Sequence, residues 1–318
     1  MTIAWVLGSR GLLGSALARR LARDSQLFVP AARFSWHDAS QLAAEIEAAV
    51  QAFAERVGTA QRWEIYWAAG VGTMSSPAEA LAPETKALSL LLQCLEGSSQ
   101  LMAVAGGVTQ ASTAGAIYAG SSDAIISEAT TPAPTTDYAR EKLEQEAMVQ
   151  RFAKAHEHTT ALIARISTLY GPGQAAGKKQ GLLTHLARSM LRNKPVQIFV
   201  PFDTIRDYIT ADDAAAVMVE AFRRITRQER VLIKIVASER PTTIAEIVST
   251  FRRMARRAPR IVTSASRLSS VYARRVEFRS IVPADPPNRA PTPLAIGIAE
   301  LMAAERLAFM RNPDAPQG

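Results

Sequence analysis

The sequence predicts an α/β protein with a doubly wound parallel sheet, and three observations predict it. Short apolar runs of β-formers alternate with amphipathic helical runs over residues 1–170. A glycine-rich turn joins the first strand to the first helix. The chain has 318 residues, enough for about two domains. Such alternation buries a parallel sheet between helices on both faces.

The elements follow in order. IAWVL (3–7) is apolar and bounded by Gly8, and reads as a buried strand. LLGSALARRLAR (12–23) places Leu12, Leu13, Ala16, Leu17 and Leu21 at helical spacing. LFVPAAR (27–33) reads as a second strand, 39–57 as a long amphipathic helix, WEIYWAAG (63–70) as a strand and 84–97 as a helix. The next strand is either QLMAVA (100–105) or GVTQAST (107–113). A long helix covers 136–156, and TALIARISTLYG (160–171) is a strand running into a Gly-Pro turn.

Beyond Gly171 the composition shifts. Residues 171–181 form a Gly/Lys loop, 182–193 a helix and 196–200 a strand. A helix over 210–226 has an acidic first turn that suits its dipole, and 231–237 is a strand. A helix over 242–257 opens with a Thr243-x-x-Glu246 cap. Five prolines make 280–294 irregular, and 312–318 reads as a tail.

Composition narrows the chemistry. The one cysteine, Cys94, excludes an intramolecular disulfide and a cysteine-built zinc site. The histidines His37, His156, His158 and His185 show no metal spacing, so no metal is expected. Lys+Arg number 37 against 29 Asp+Glu, a balance of +8 that favours anionic partners or simply a basic solvated surface. The arginine runs at 223–230 and 252–257 lack interleaved aromatics, which argues against nucleic acid. No window reaches the ~18 apolar residues of a membrane span. The run Ile3 to Leu7 is too short for a secretory signal, so the cytoplasm is the expected compartment.

GSRGLLG sets Gly8, Gly11 and Gly14 directly after a strand and at the opening of a helix. That pattern suits a nucleotide pyrophosphate: a tight turn, close backbone approach, close helix packing and free N–H groups at a helix N-terminus. The second strand ends in Ala32-Arg33 rather than in an acidic residue, and Arg10 lies inside the turn. Two guanidinium groups there suit the 2′-phosphate of NADP(H), although exposed surface arginines would read the same way. Asp38 either contacts the adenine or caps the following helix.

Tyr138 and Lys142 lie four apart in a helical segment and so share a face. An ammonium beside a phenol lowers its pKa, and such a tyrosine can pass a proton to or from a sugar or alcohol oxygen. Some 25 residues upstream, Ser112 and Thr113 end a strand and offer hydroxyls to the same oxygen.

With these pieces in order, the chain resembles the extended short-chain dehydrogenases/reductases, the NAD(P)-dependent epimerase/dehydratase family. The matching segments are GSRGLLG (8–14), WAAG (67–70), STAGAIYAG (112–120), YAREK (138–142), ARISTLYGPGQ (164–174) and IRDYITADDAA (205–215). The resemblance runs to about residue 250. It implies a Rossmann domain over 1–170, with 204–234 returning to it. A smaller interleaved C-terminal α/β substrate domain would cover 171–203 and 235–311.

It also implies a catalytic set of Tyr138, Lys142 and either Thr113 or Ser112, with Thr113 favoured. Cofactor contacts fall on Gly8, Ser9, Arg10, Gly11, Leu12, Leu13, Gly14, Arg33, Asp38, Ala68, Ala69, Ile166, Tyr138 and Lys142. Arg206 would grip a substrate diphosphate or, structurally, pair with Asp212 or Asp213; Tyr170 would also meet substrate.

The implied activity is an NADP(H)-dependent reductase of a nucleotide-linked keto sugar, with NAD possible. A nucleotide-sugar 4-epimerase is the alternative and a non-catalytic NADP-binding sensor the remote one. The expected assembly is a homodimer. Two departures stand out: Ala114 and Gly115 follow Thr113 where the family's 4,6-dehydratases carry Asp-Glu, and Glu84 falls where members often carry asparagine.

Overall fold

A computed structural model gives the fold, described over residues 1–58, 60–174, 181–263, 275–283 and 290–312. The chain opens with β1 (Thr2–Leu7), α1 (Leu12–Leu21), β2 (Gln26–Phe28), α2 (Ala39–Val57), β3 (Arg62–Trp67) and α3 (Ala78–Glu96). A single helical turn, α4 (Ser99–Met102), precedes β4 (Gly106–Thr113), so the second of the two strand alternatives is the one formed. Then come α5 (Ala114–Ile117), α6 (Asp137–Ala155), β5 (Thr159–Ile166) and β6 (Thr168–Tyr170).

The later elements are α7 (Leu182–Leu191), β7 (Val196–Ile198), β8 (Ile205–Thr210), α8 (Ala211–Arg224) and β9 (Val231–Val236). They continue through β10 (Pro241–Thr243), α9 (Ile244–Ala255), β11 (Ile261–Thr263) and α10 (Leu294–Arg311).

Six parallel strands form the central sheet in the order β2-β1-β3-β4-β5-β9. This is the doubly wound Rossmann arrangement. Side chains alternate across β1: Ile3, Trp5 and Leu7 pack with α2, α3 and α6, while Ala4 and Val6 pack with α1 and α8. A second core joins α7, α9 and α10 through Leu186, Phe251, Ile298 and Leu301. It packs with a three-stranded sheet, β10-β8-β6, and a two-stranded one, β11-β7.

Several elements depart from the sequence reading. β2 stops at Phe28 because Pro30 has no N–H to continue the ladder, which leaves Arg33 in irregular chain beyond the strand. α3 starts six residues before Glu84 and runs through Pro83, anchored by the buried Leu81. The single strand over 160–171 divides at Ser167, whose Oγ donates to Asp207 Oδ1 at 2.6 Å. Buried Asp207 also accepts from Ser238 N and Oγ and from Arg240 N, tying β8 to the end of β9. Finally, β10 takes the first residues of the helix expected over 242–257, and β8, β11 and α10 lie where the sequence reading places no element. Parts of the Gly/Lys loop (175–180), of the proline-rich segment (284–289) and of the tail (313–318) fall outside the described residues.

The contact that sets the position of α1 is backbone to backbone. A Cβ at Gly14 would lie 2.1 Å from Gly8 O and 2.6 Å from Gly8 C. Gly14→Ala must therefore push α1 off the end of β1. We expect a loss of about 2 kcal/mol, the usual scale for overpacking, seen as a lower midpoint in thermal or urea unfolding. An unchanged midpoint would show that the helix can slide freely.

Candidate active site

The site begins where the strand order reverses beside β1, so that β1 and β3 leave a crevice at their carboxyl ends. Gly8 has φ +82°, a conformation that favours glycine. A Cβ there would also lie 2.6 Å from Ala68 O. The Gly11 N–H donates to Gly8 O at 2.9 Å, closing the turn. Gly11 then caps α1 without any side-chain hydrogen bond, so the first-turn N–H groups face the crevice end with the positive pole of the helix. Ser9, Arg10 and Gly11 are exposed, while Leu13 and Gly14 are buried. Ala68 and Ala69 continue β3, and Ile166 ends β5 between Thr113 and Val236.

Arg10 and Arg33 are both exposed and make no ion pair or hydrogen bond among the described residues. Asp38 resolves to the capping alternative: its Oδ1 accepts from the N–H groups of Gln41 and Ser40, each at 3.0 Å, and from Ser40 Oγ. The Gln41 and Ser40 hydrogen bonds hold its carboxyl below the usual range.

Beyond β3 the chain runs along the rest of the site. A Cβ at Gly70 would lie 2.8 Å from Glu84 Oε2, and one at Gly72 3.3 Å from the Tyr138 ring. Tyr138 sits in the first turn of α6, which Thr136 caps by accepting from Ala139 N. Spacings of three and four bring Lys142, Gln145 and Glu146 inward beneath it. The Lys142 Nζ lies 5.8 Å from the Tyr138 ring centroid. It donates to Glu84 Oε1 at 2.6 Å and to Gln145 Oε1 at 3.0 Å.

This corrects the expected acidity of the phenol. Burial pushes Tyr138 above the ordinary tyrosine range; Lys142 pulls it down only in part, and Glu84 pushes it up. Burial also pulls the Lys142 ammonium down, but Glu84 and Tyr138 more than offset that, and Lys142 ends above the usual lysine value. Sequence reasoning passed over Gln145 and gave Glu84 no role; the departure from asparagine was the one signal.

The two hydroxyls part company. Ser112 is buried and donates to Glu146 Oε1 at 2.6 Å. Glu146 in turn takes Arg165 Nη2 at 2.6 Å and Nε at 3.0 Å, and Arg165 Nη1 donates to the Tyr118 hydroxyl. Ser112 thus belongs to a buried ion-pair network. Thr113 faces the other way along β4. Its Oγ1 accepts from Ala116 N at 3.4 Å, and its own O–H has no acceptor among the described residues.

Tyr170, expected at the substrate, lies instead in the second core at 2% exposure. Its ring stands edge-on to Tyr208, and Gly297 of α10 leaves only enough room for its hydroxyl. Arg206, on β8, is half-buried and donates to Ile205 O at 2.7 Å. Burial raises nearby Tyr208 to about 12 even though Arg206 pulls it down. Asp212 pairs with Arg19 at 2.7 Å, and Asp213 accepts from Thr292 N at 2.8 Å. Among the described residues no cluster of His, Cys, Asp and Glu could hold a metal ion, and no helix is long and apolar enough to cross a membrane.

Residues 4–233 match the sequence model of a family described as the NAD dependent epimerase/dehydratase family. No curated protein matches the sequence. Several solved structures share the fold. The UDP-glucose 4-epimerase of Thermus thermophilus, in complex with NAD, is 19% identical with a TM-score of 0.76, over 96% of this chain and 99% of that one. The UDP-glucuronic acid 4-epimerase of Bacillus cereus, with UDP-glucuronic acid and NAD, is 17% identical with a TM-score of 0.73, over 97% and 100%. RMD of Pseudomonas aeruginosa, complexed with NADPH, is 18% identical with a TM-score of 0.74, over 96% and 100%. Identities this low establish a shared fold.

Proposed function

The chain belongs to the NAD dependent epimerase/dehydratase family, and from that premise we propose that it is an NADP(H)-dependent reductase of a keto group on a nucleotide-linked sugar. One observation carries the reading: residues 68–72 touch both an uncapped glycine turn and the ring of Tyr138, whose Lys142 lies one turn on. Relatives of the same fold are solved with UDP-sugars and with NAD or NADPH, which supports the substrate and cofactor classes.

The residues present fit such a cofactor. Gly8 and Gly11 leave the backbone bare at the turn, and the first N–H groups of α1 suit a pyrophosphate. An ammonium has three N–H donors; Lys142 commits two to Glu84 and Gln145, and the third suits a ribose hydroxyl. Ala68, Ala69 and Ile166 are small or apolar at the strand ends and suit the flat rings. Arg10 and Arg33, without protein partners among the described residues, favour the 2′-phosphorylated form. When bound, the nicotinamide supplies a hydride to the sugar's carbonyl carbon.

The chain's own residues manage the oxygen. Thr113 donates its O–H to that oxygen, and Tyr138 gives up its phenolic proton as negative charge builds there. A phenol held above its ordinary range stays protonated at neutral pH, as a donor must. Arg206 suits the diphosphate of the sugar nucleotide, with residues 171–203 and 235–311 as the substrate-facing domain. A 4-epimerase would use the same groups, and the solved 4-epimerases among the structural relatives favour that second reading. It would hold its cofactor tightly and show no net redox change. Dehydration is not proposed, because Ala114 and Gly115 offer no carboxylic acid beside Thr113.

Tyr138→Phe should lower turnover of a nucleotide-linked keto sugar by about a hundredfold or more and leave NADPH affinity, read by fluorescence titration, nearly unchanged. Wild-type turnover would remove Tyr138 from the chemistry. Replacing Arg10 and Arg33 together with alanine should weaken NADPH by more than about tenfold while sparing NADH. Equal losses for both cofactors would discard the 2′-phosphate assignment.

A further inference from the structure

Glu84 reaches the site from α3, packed against α6 and 58 residues before Lys142 in sequence. Its side chain is 9% exposed and that of Lys142 8%. Beyond the 2.6 Å bond from Lys142, its Oε1 lies 3.3 Å from the donor Gln145 Nε2. Gln145 locks this arrangement by accepting from Gln110 Nε2 at 2.9 Å and donating to Thr85 Oγ1 at 2.9 Å. Gly70 completes it, since any side chain there would strike the Glu84 carboxylate.

Two charges act on the phenol, Lys142 from α6 and Glu84 from α3. Glu146, further along α6, acts on Lys142, and Arg165 of β5, which also bonds Tyr118 beside α5, pairs with Glu146. Arg165 answers Glu146 with a bidentate contact. Glu84 answers Lys142. The net charge facing the phenol is therefore close to zero, where an unpaired ammonium would have favoured the phenolate.

We propose that Glu84 is a positioning residue of the Tyr138–Lys142 pair: it anchors and neutralises the ammonium, so that the resting site is built to give a proton to a carbonyl oxygen rather than take one from an alcohol. The inference rests on the acid/base reading of Tyr138 and gives it a direction. In that direction the phenolic O–H bond breaks and a new O–H bond forms on the substrate oxygen, which has gained its electron pair from hydride addition at carbon. The phenolate left behind recovers its proton from water.

The test begins without substrate. Ultraviolet titration of the full chain, taken as a difference from Tyr138→Phe, isolates the ionisation of Tyr138. Glu84→Gln keeps the shape and removes the charge, and should lower the midpoint by about one pH unit or more. Glu84→Asp keeps the charge and should move it less. Glu84→Asn, smaller than Gln, provides a second neutral variant with the same expected fall should the Gln variant not fold. A midpoint that stays put in a natively folded neutral variant overturns the proposal.

Turnover then separates the two readings. In the neutral variant, the alkaline rise of alcohol oxidation should move to lower pH by the same amount. A shifted titration with unshifted pH–rate profiles would instead overturn the acid/base reading of Tyr138, and with it the direction.

Discussion

Five residues after β3, 68–72, hold the site together by close approach. Gly8 leaves no room for a side chain against Ala68, Gly70 none against Glu84, and Gly72 sits against Leu81 and the Tyr138 ring. Three separate parts of the chain meet this one segment: the turn after β1, the first half of α3 and the first turn of α6. The turn thus meets this segment backbone to backbone, while the side chains of Glu84, Leu81 and Tyr138 pack onto its bare glycines. The backbone contact between Gly8 and Ala68 is not readily deformable, so the turn and this segment are set against each other by the fold itself.

Beneath that segment the structure buries charge in matched pairs. Glu146 with Arg165 and Lys142 with Glu84 are both nearly inaccessible; Ser112 donates to Glu146, Gln145 accepts from Lys142, and the Tyr118 hydroxyl accepts from Arg165. A third buried acid, Glu64 on β3, accepts from Arg62, Arg223 and the Tyr66 hydroxyl. An unpaired charge in such places would be strongly destabilising, whereas a paired one contributes little net stability and much geometry. Glu146 takes the Ser112 hydroxyl into its ion pair, while the Thr113 hydroxyl has no acceptor among the described residues.

How much of this was legible in the sequence depended on how local the cause was. β1, α1 and α2 follow from periodicity and the glycine turn, and the Thr243 cap on α9 forms as read, with Glu246 N donating to Thr243 Oγ1. β2 was overextended because apolar character continues past Phe28, where Pro30 ends the ladder. The break at Ser167 depends on Asp207, which is 40 residues away. Tyr170 looked available because its cover, Gly297, belongs to a helix past the region of resemblance. Glu84 and Lys142 are separated by 58 positions, so no spacing rule could have joined them.

That last pair decides what the familiar Tyr-x-x-x-Lys spacing means in this chain. In isolation the spacing argues for an acidic phenol, because the nearest charge is positive. Here the positive charge is already answered, and burial is left as the largest influence on Tyr138. On the proposed reading, the phenol then becomes easier to ionise only when a further positive charge enters the crevice. Oxidation of a bound nicotinamide creates such a charge at the moment a reductase needs its proton moved. The neutralised lysine would therefore couple proton release to hydride loss more tightly than a free one, since a free ammonium would have lowered the barrier to ionisation beforehand. On that proposed reading, the difference between an acid and a base at position 138 is written on a different helix, in the carboxylate of Glu84.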